Sequence, residues 1–197
     1  MGKHTIELSD VVNIFEYEKV RDAMRRRVIE LKRARRVAVG AHLSFVFENR
    51  DTLLFQIQEM CRTERITDEA GVQEEIAVYG ALLPRPGELS ATMMIEIQDK
   101  DQIEPMLDRF MGIDIGRHVW MEVGNRLVVP GEFESGRSDE DKGKLSAVHF
   151  LRFPVPERGI RDFRAAPVFL VVDHPAARAR VRLSDETKAA LYEDLAA

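Results

Sequence analysis

The sequence predicts an α+β fold: a mostly antiparallel sheet of about seven strands, a basic N-terminal helix, a pair of helices after the first strand and a short C-terminal helix. Three observations carry that prediction. Apolar residues recur at helical spacing through most of the first half, and two-residue alternation dominates the second. The third is size: 197 residues at 45% hydrophobic against 32% charged allow one well-packed core, read as a single domain over 1–197. The alternation leaves open whether the strands curl as one sheet or pack as two.

The first helix is EYEKVRDAMRRRVIELKRAR, residues 16–35, in which Tyr17, Val20, Met24, Val28 and Leu31 recur at spacings of three and four and make one apolar stripe. Eight basic residues lie between Arg21 and Arg36. The macrodipole favours such charges toward a helix carboxyl end, so the simplest reading is a solvated face. The sharper reading is a docking strip for an acidic partner or a phosphate-bearing ligand, with Arg25, Arg26 and Arg33 as its candidates. No aromatic residues interleave the arginines to stack on bases, which argues against nucleic acid.

RVAVGAHLSFVFE then alternates as one long strand, with Val37, Val39, Ala41, Leu43, Phe45 and Phe47 on one face and Ala38, Gly40, His42, Ser44, Val46 and Glu48 on the other. Asp51 suits the N-cap of the next helix, whose stripe is Leu53, Leu54, Ile57, Met60 and Cys61. Cys61 therefore reads as a small buried hydrophobe and not as a nucleophile. A further helix runs from Asp68 to about Leu83, where Pro84 stops it. LSATMMIEI is a strand with Ala91, Met93, Ile95 and Ile97 on one side and Thr92, Met94 and Glu96 on the other. DKDQIEPMLDRFMGI reads as a helix with Pro105 in its first turn and Gly112 ending it.

Strands follow: HVWMEVG, then RLVVPGEFE after a tight turn at Gly124–Asn125. The polar stretch 134–144 reads as a mobile hairpin loop. LSAVHFLRFPV, PVFLVVDHP and RARVRLS are the last strands, and Ser184 caps the last helix.

Composition removes several functions. A net charge of −5 provides no chain-wide field for nucleic acid or an anionic membrane. No apolar run approaches the roughly 20 residues of a membrane span, the amino terminus lacks a secretory leader, and Ile6 breaks the myristoylation pattern, so a cytoplasmic protein is expected. The single cysteine forms no internal disulfide, CxxC pair or thiolate-held iron–sulfur cluster. Phosphate loop, GxGxxG, GxSxG and HExxH motifs are absent, so no nucleotide or flavin motif supports a cofactor.

What remains is histidine and carboxylate on strands. His42 lies in the first strand, Glu96 in the second, His118 and Glu122 on one face of HVWMEVG, His149 among apolar neighbours, and His174 at a strand end. Convergence of these faces would make an iron-type or other divalent-metal site; the simpler reading is hydrogen-bonded core and surface residues. Asp173 and His174 point to opposite faces of a strand, which argues against a dyad. Glu48, Asn49, Arg50 and Asp51 form a polar corner at a helix amino end, read as cap and ion pairs or as a ligand-binding corner.

The run RRVAVGAHLSFVFENRDTLLFQIQEMCRTERI, with PGELSATMMIEI, VHFLRF and DHP further on, resembles a bacterial domain-of-unknown-function family, numbered 3501. The likeness spans nearly the whole chain, with FENRDTLLFQIQEM its specific segment. The resemblance brings no catalytic residues with it. It implies a place beside rubrerythrin-like proteins and iron–sulfur proteins related to heterodisulfide reductase subunits, in peroxide defence or electron transfer. Three expectations result: a homo-oligomeric accessory protein docking a redox partner through its basic helix, a metal-dependent oxidoreductase, and a small-molecule binding module at the 48–51 corner.

Overall fold

Two antiparallel sheets, packed face to face, account for the alternation. The structure is a computed structural model and describes residues 5–125, 127–136, 138–139 and 144–196. A 3-10 turn (Leu8–Asp10) leads into α1 (Ile14–Arg35), β1 (Arg36–Val39), β2 (Leu43–Glu48), α2 (Arg50–Glu64), α3 (Glu69–Gly80) and β3 (Glu88–Ile95). Next come α4 (Ile103–Arg109), β4 (Val119–Val123), β5 (Leu127–Pro130), β6 (Glu132–Phe133), β7 (Ser138–Asp139) and β8 (Lys144–Leu145). The chain closes with β9 (Val148–Pro154), α5 (Glu157–Ala165), β10 (Val168–His174), β11 (Ala177–Arg182) and α6 (Asp185–Leu195). One sheet has the order β1-β2-β3-β9-β6, the other β11-β10-β4-β5, and β7 pairs with β8. The stretch 134–144, expected to be a mobile loop, lies partly outside the described residues.

The long first strand is in fact a hairpin. β1 and β2 pair antiparallel with Val39 opposite Leu43, and Gly40, Ala41 and His42 form the loop, Gly40 at φ +68°. Directly paired residues point to the same face, and an odd loop of three preserves parity, so the hydrophobic alternation runs on through the turn as if the strand were unbroken. Only Ala41, exposed at the tip, breaks the pattern.

The core fills the space between the sheets. Val37, Val39, Leu43, Phe45, Phe47, Leu89, Ala91, Met93, Leu151 and Phe153 come from the five-stranded sheet, and Val119, Met121, Val129, Leu170 and Val172 from the four-stranded one. Each of these side chains larger than Ala91 contributes about 1.5–3 kcal/mol on burial. Phe110, Ile113, Phe163, Leu191 and Leu195 close the ends. A second, smaller cluster of Ile6, Leu53, Ile57, Cys61, Leu82 and Leu83 packs α2 and its neighbours onto the other face of the five-stranded sheet.

Several element ends differ from the sequence reading. Asn49, not Asp51, caps α2: its side chain accepts from Thr52 N, and Thr52 accepts in return from Asn49 N. Asp51 sits within the first turn and pairs with Arg27 instead. The stripe of α1 omits Val20, which is exposed, and takes in the half-buried Arg21 and the buried Arg35, each with a carboxylate partner. The sequence reading passed over α5, whose Gly159 packs closely under Leu127: a Cβ there would stand 2.3 Å from Leu127 Cδ2, so that side chain would have to shift.

Candidate functional site

The outer face of the five-stranded sheet is built from the residues between the core positions. Ser44, Val46 and Glu48 of β2, Ser90, Thr92 and Met94 of β3, and Val148, Phe150 and Arg152 of β9 alternate with the buried set, and pairing places Val46 opposite Thr92 and Thr92 opposite Phe150. Helices α1 and α2 roof one part of this face. Between roof and sheet lies a cleft of about 290 Å³. Its lining combines Lys32 of α1, Thr52, Leu53 and Gln56 of α2, Tyr79 and Leu82, and the sheet residues Val46, Glu48, Thr92, Met94, Val148 and Phe150.

Glu48 is the charged group of the cleft floor, only 8% exposed. Thr52 donates its hydroxyl to Glu48 Oε2 at 2.6 Å, and Thr92 donates to Oε1 at 2.7 Å. A carboxylate has about four acceptor positions, so these two bonds fix its orientation and leave capacity for further donors. Lys32, Gln56 and Tyr79 are half-buried around it. Among the described residues, no hydrogen bond or ion pair engages these three side chains. A buried carboxylate, an amine, an amide and a phenol therefore line one space whose remaining walls, apart from Thr52 and Thr92, are apolar.

The roof is clipped in place by a second polar group. Tyr17 of α1, fully buried, donates its hydroxyl to Glu59 Oε1 at 2.6 Å, and Arg21 donates to both oxygens of Glu59 at 2.8 and 2.9 Å. The Arg21 guanidinium holds the Glu59 carboxyl at about 2, while burial and then Glu59 itself push the Tyr17 phenol upward. Arg35 makes a matching fork to Asp194 of α6 at 2.6 and 3.0 Å. Gln58 pins the segment before α1, accepting from Val12 N and donating to Val12 O.

The polar corner thus divides. Glu48 faces the cleft, Asn49 caps α2, Asp51 pairs with Arg27, and Arg50 bonds Thr5 O and pairs with Asp10. Of the basic strip, Arg25, Arg26 and Arg33 are exposed, and Arg33 reaches Glu30 of its own helix at 3.3 Å.

The histidines and carboxylates spread over four places. Glu96 is bonded by Arg36 and Ser44, and the His42 ring lies 3.4 Å from the Glu96 carbonyl. Glu122 accepts from Arg180 at 2.8 Å, which holds its carboxyl below the usual range. His149 is fully buried, donates to Ser146 O at 2.7 Å and lies 3.6 Å from Asp114. His118 and His174 do meet, edge to face with ring centroids 4.8 Å apart. Yet His174 donates to Met111 O and accepts from Ala176 N, and His118 donates to Asp173 O, so backbone groups occupy three of the four ring nitrogens. Burial, then the neighbouring His118, pushes the His174 pKa down, against the Met111 bond. Asp173 is exposed and pairs with Arg178 on the opposite face from His174. Among the described residues, no three His, Cys, Asp or Glu side chains stand close enough to hold a metal ion.

Lys32, Thr52, Gln56, Tyr79 and Thr92 escaped the sequence reading. Alternation does place Glu48 and Thr92 each on the less apolar side of its strand, but joining them needs the register of β2 on β3, which no local pattern specifies.

A family model described as protein of unknown function (DUF3501) matches residues 5–195. Among solved structures, the chain is similar to the crystal structure of a novel protein of unknown function from Burkholderia pseudomallei K96243. Identity is 33% over 97% of this chain and 99% of that one, with a TM-score of 0.90. No curated protein matches.

Proposed function

This chain belongs to the DUF3501 family, and on that premise we propose that it is a small-molecule binding protein whose site is the cleft between α1, α2 and the five-stranded sheet. One observation carries the reading: four polar side chains of different chemistry, Glu48, Lys32, Gln56 and Tyr79, converge on a largely apolar cleft, and the last three have no partner among the described residues. Ligand sites combine apolar walls with a few polar groups that fix orientation, and about 290 Å³ lies at the small end of their range. The test is mass spectrometry of small molecules released on denaturation, comparing the native chain with Val148→Trp. Val148 is 38% exposed at the cleft wall, so a larger ring fits there without disturbing the core. A compound released from the native chain and missing from the variant supports the proposal, and equal release from both removes it.

A second reading has its own support in α1. Arg25 and Arg26 are exposed and form no ion pair among the described residues, which suits docking of an acidic partner. Following the resemblance, we assign this surface to a rubrerythrin-like or iron–sulfur redox partner, with the chain as a cytoplasmic, homo-oligomeric accessory protein. Replacing Arg25, Arg26 and Arg33 by Glu is expected to strip such a partner from the purified protein. An unchanged set of co-purifying proteins would count against docking while leaving the cleft untouched.

A further inference from the structure

The cleft's charges narrow the class of molecule it takes. Glu48 and Lys32 line the same space and carry opposite charges, yet they form no ion pair. A Lys side chain is long enough to collapse onto a neighbouring carboxylate, and here Glu48 is held instead by Thr52 and Thr92, with acceptor capacity left over. Glu48 is deeply set and Lys32 half-buried, so the cationic end of a ligand belongs at the floor and the anionic end toward α1. A ligand bearing only an anion would bring a like charge against a buried carboxylate, and one bearing only a cation would meet Lys32. Between the two charges the walls are Val46, Leu53, Leu82, Met94 and Phe150.

We propose that the cleft binds an amphipathic zwitterion of amino-acid size, with its ammonium group on Glu48, its carboxylate on Lys32 and an apolar side chain against the Phe150 wall. This rests on the ligand-binding reading above. Gln56 and Tyr79 add a neutral donor and acceptor at the rim that serve either end of such a molecule. The volume admits a single free amino acid with a large apolar side chain.

The experiment is calorimetric titration of the full chain with three probes sharing one ring: L-phenylalanine, phenethylamine and 3-phenylpropionate, with L-leucine and L-methionine as further amino acids. An amino acid is expected to bind at least tenfold more tightly than the amine or the acid. Glu48→Gln should weaken it about tenfold or more, Lys32→Ala should weaken it severalfold, and Val148→Trp should abolish it. Amine or acid binding as tightly as the amino acids, and lost in Val148→Trp, overturns the zwitterion and keeps the cleft as a ligand site. No binding of any amino acid at millimolar concentration overturns the zwitterion as well. In that case, release of a compound from the native chain but not from Val148→Trp decides separately whether the cleft is a site.

Discussion

The two faces of the five-stranded sheet are made by the same three central strands and have opposite characters. On the inner face Phe45, Phe47, Leu89, Met93, Leu151 and Phe153 meet the four-stranded sheet with almost no exposure. On the outer face, one residue along in each case, stand Ser44, Glu48, Ser90, Thr92 and Arg152, mixed with Val46, Met94 and Phe150 and covered by helices. A one-residue shift in position thus separates a face that only stabilises from one that borders unfilled space and carries polar side chains. Stability and binding can be written on the same strands because their side chains point opposite ways. Substitutions on each side test how separate the two are.

The largest effect belongs to the inner face. Phe45→Ala leaves a cavity under both sheets, and the expected loss is about 3–5 kcal/mol in urea unfolding. A loss similar to that of an outer-face truncation at Met94, which is half-buried, would break the distinction.

Next comes the floor of the cleft. Thr92→Val keeps the shape of β3 and removes the donor to Glu48 Oε1, leaving a buried acceptor short of one partner. The expected cost is about 1–3 kcal/mol. A neutral result would mean that water reaches Glu48 freely and replaces the hydroxyl, making the cleft wetter than its walls imply.

How much of this was legible follows from where the information sits. Alternation within strands and stripes within helices are local, so the α+β class, the antiparallel pairing and the buried set Phe45, Phe47 and Met93 could be read directly. The Gly40–His42 hairpin hid because its odd loop keeps the faces in phase. The choice between one curled sheet and two packed ones was closed to local patterns, since both expose the same periodicity. The site was half visible: Glu48 stood out as polar beside an apolar strand. Lys32 was submerged in a run of basic residues, and Thr92 needs the β2–β3 register to become Glu48's neighbour.

A pH-dependent effect tests the polar groups inside the inner layer. Burial depresses His174, so the folded state binds its proton less readily than the unfolded chain. Its contribution to stability is whole above the ordinary value near 6.5 and is lost as pH falls from there through the lowered folded value. His174→Gln is expected to flatten the change in urea midpoint between about pH 7 and 5, a window set by the ordinary histidine value. An unaltered slope would assign the acid sensitivity to other groups, with His118, 4.8 Å away between ring centroids, the first to examine.

The smallest stability effect is expected at Lys32, and the comparison is sharpest there. Its side chain is half-buried on α1 and engages no described residue, so Lys32→Ala removes no hydrogen bond or ion pair from the folded chain. The change in unfolding free energy should stay within about 0.5 kcal/mol. Thermal unfolding of both proteins, each freed of bound compounds by refolding, measures this directly. A substantial loss would mean that the amine supports the roof over Glu48, making α1 part of the framework. An unchanged midpoint with weakened amino-acid binding would place Lys32 wholly on the binding side, where removing one opposite charge changes what the outer face recognises and leaves untouched what the inner face holds together.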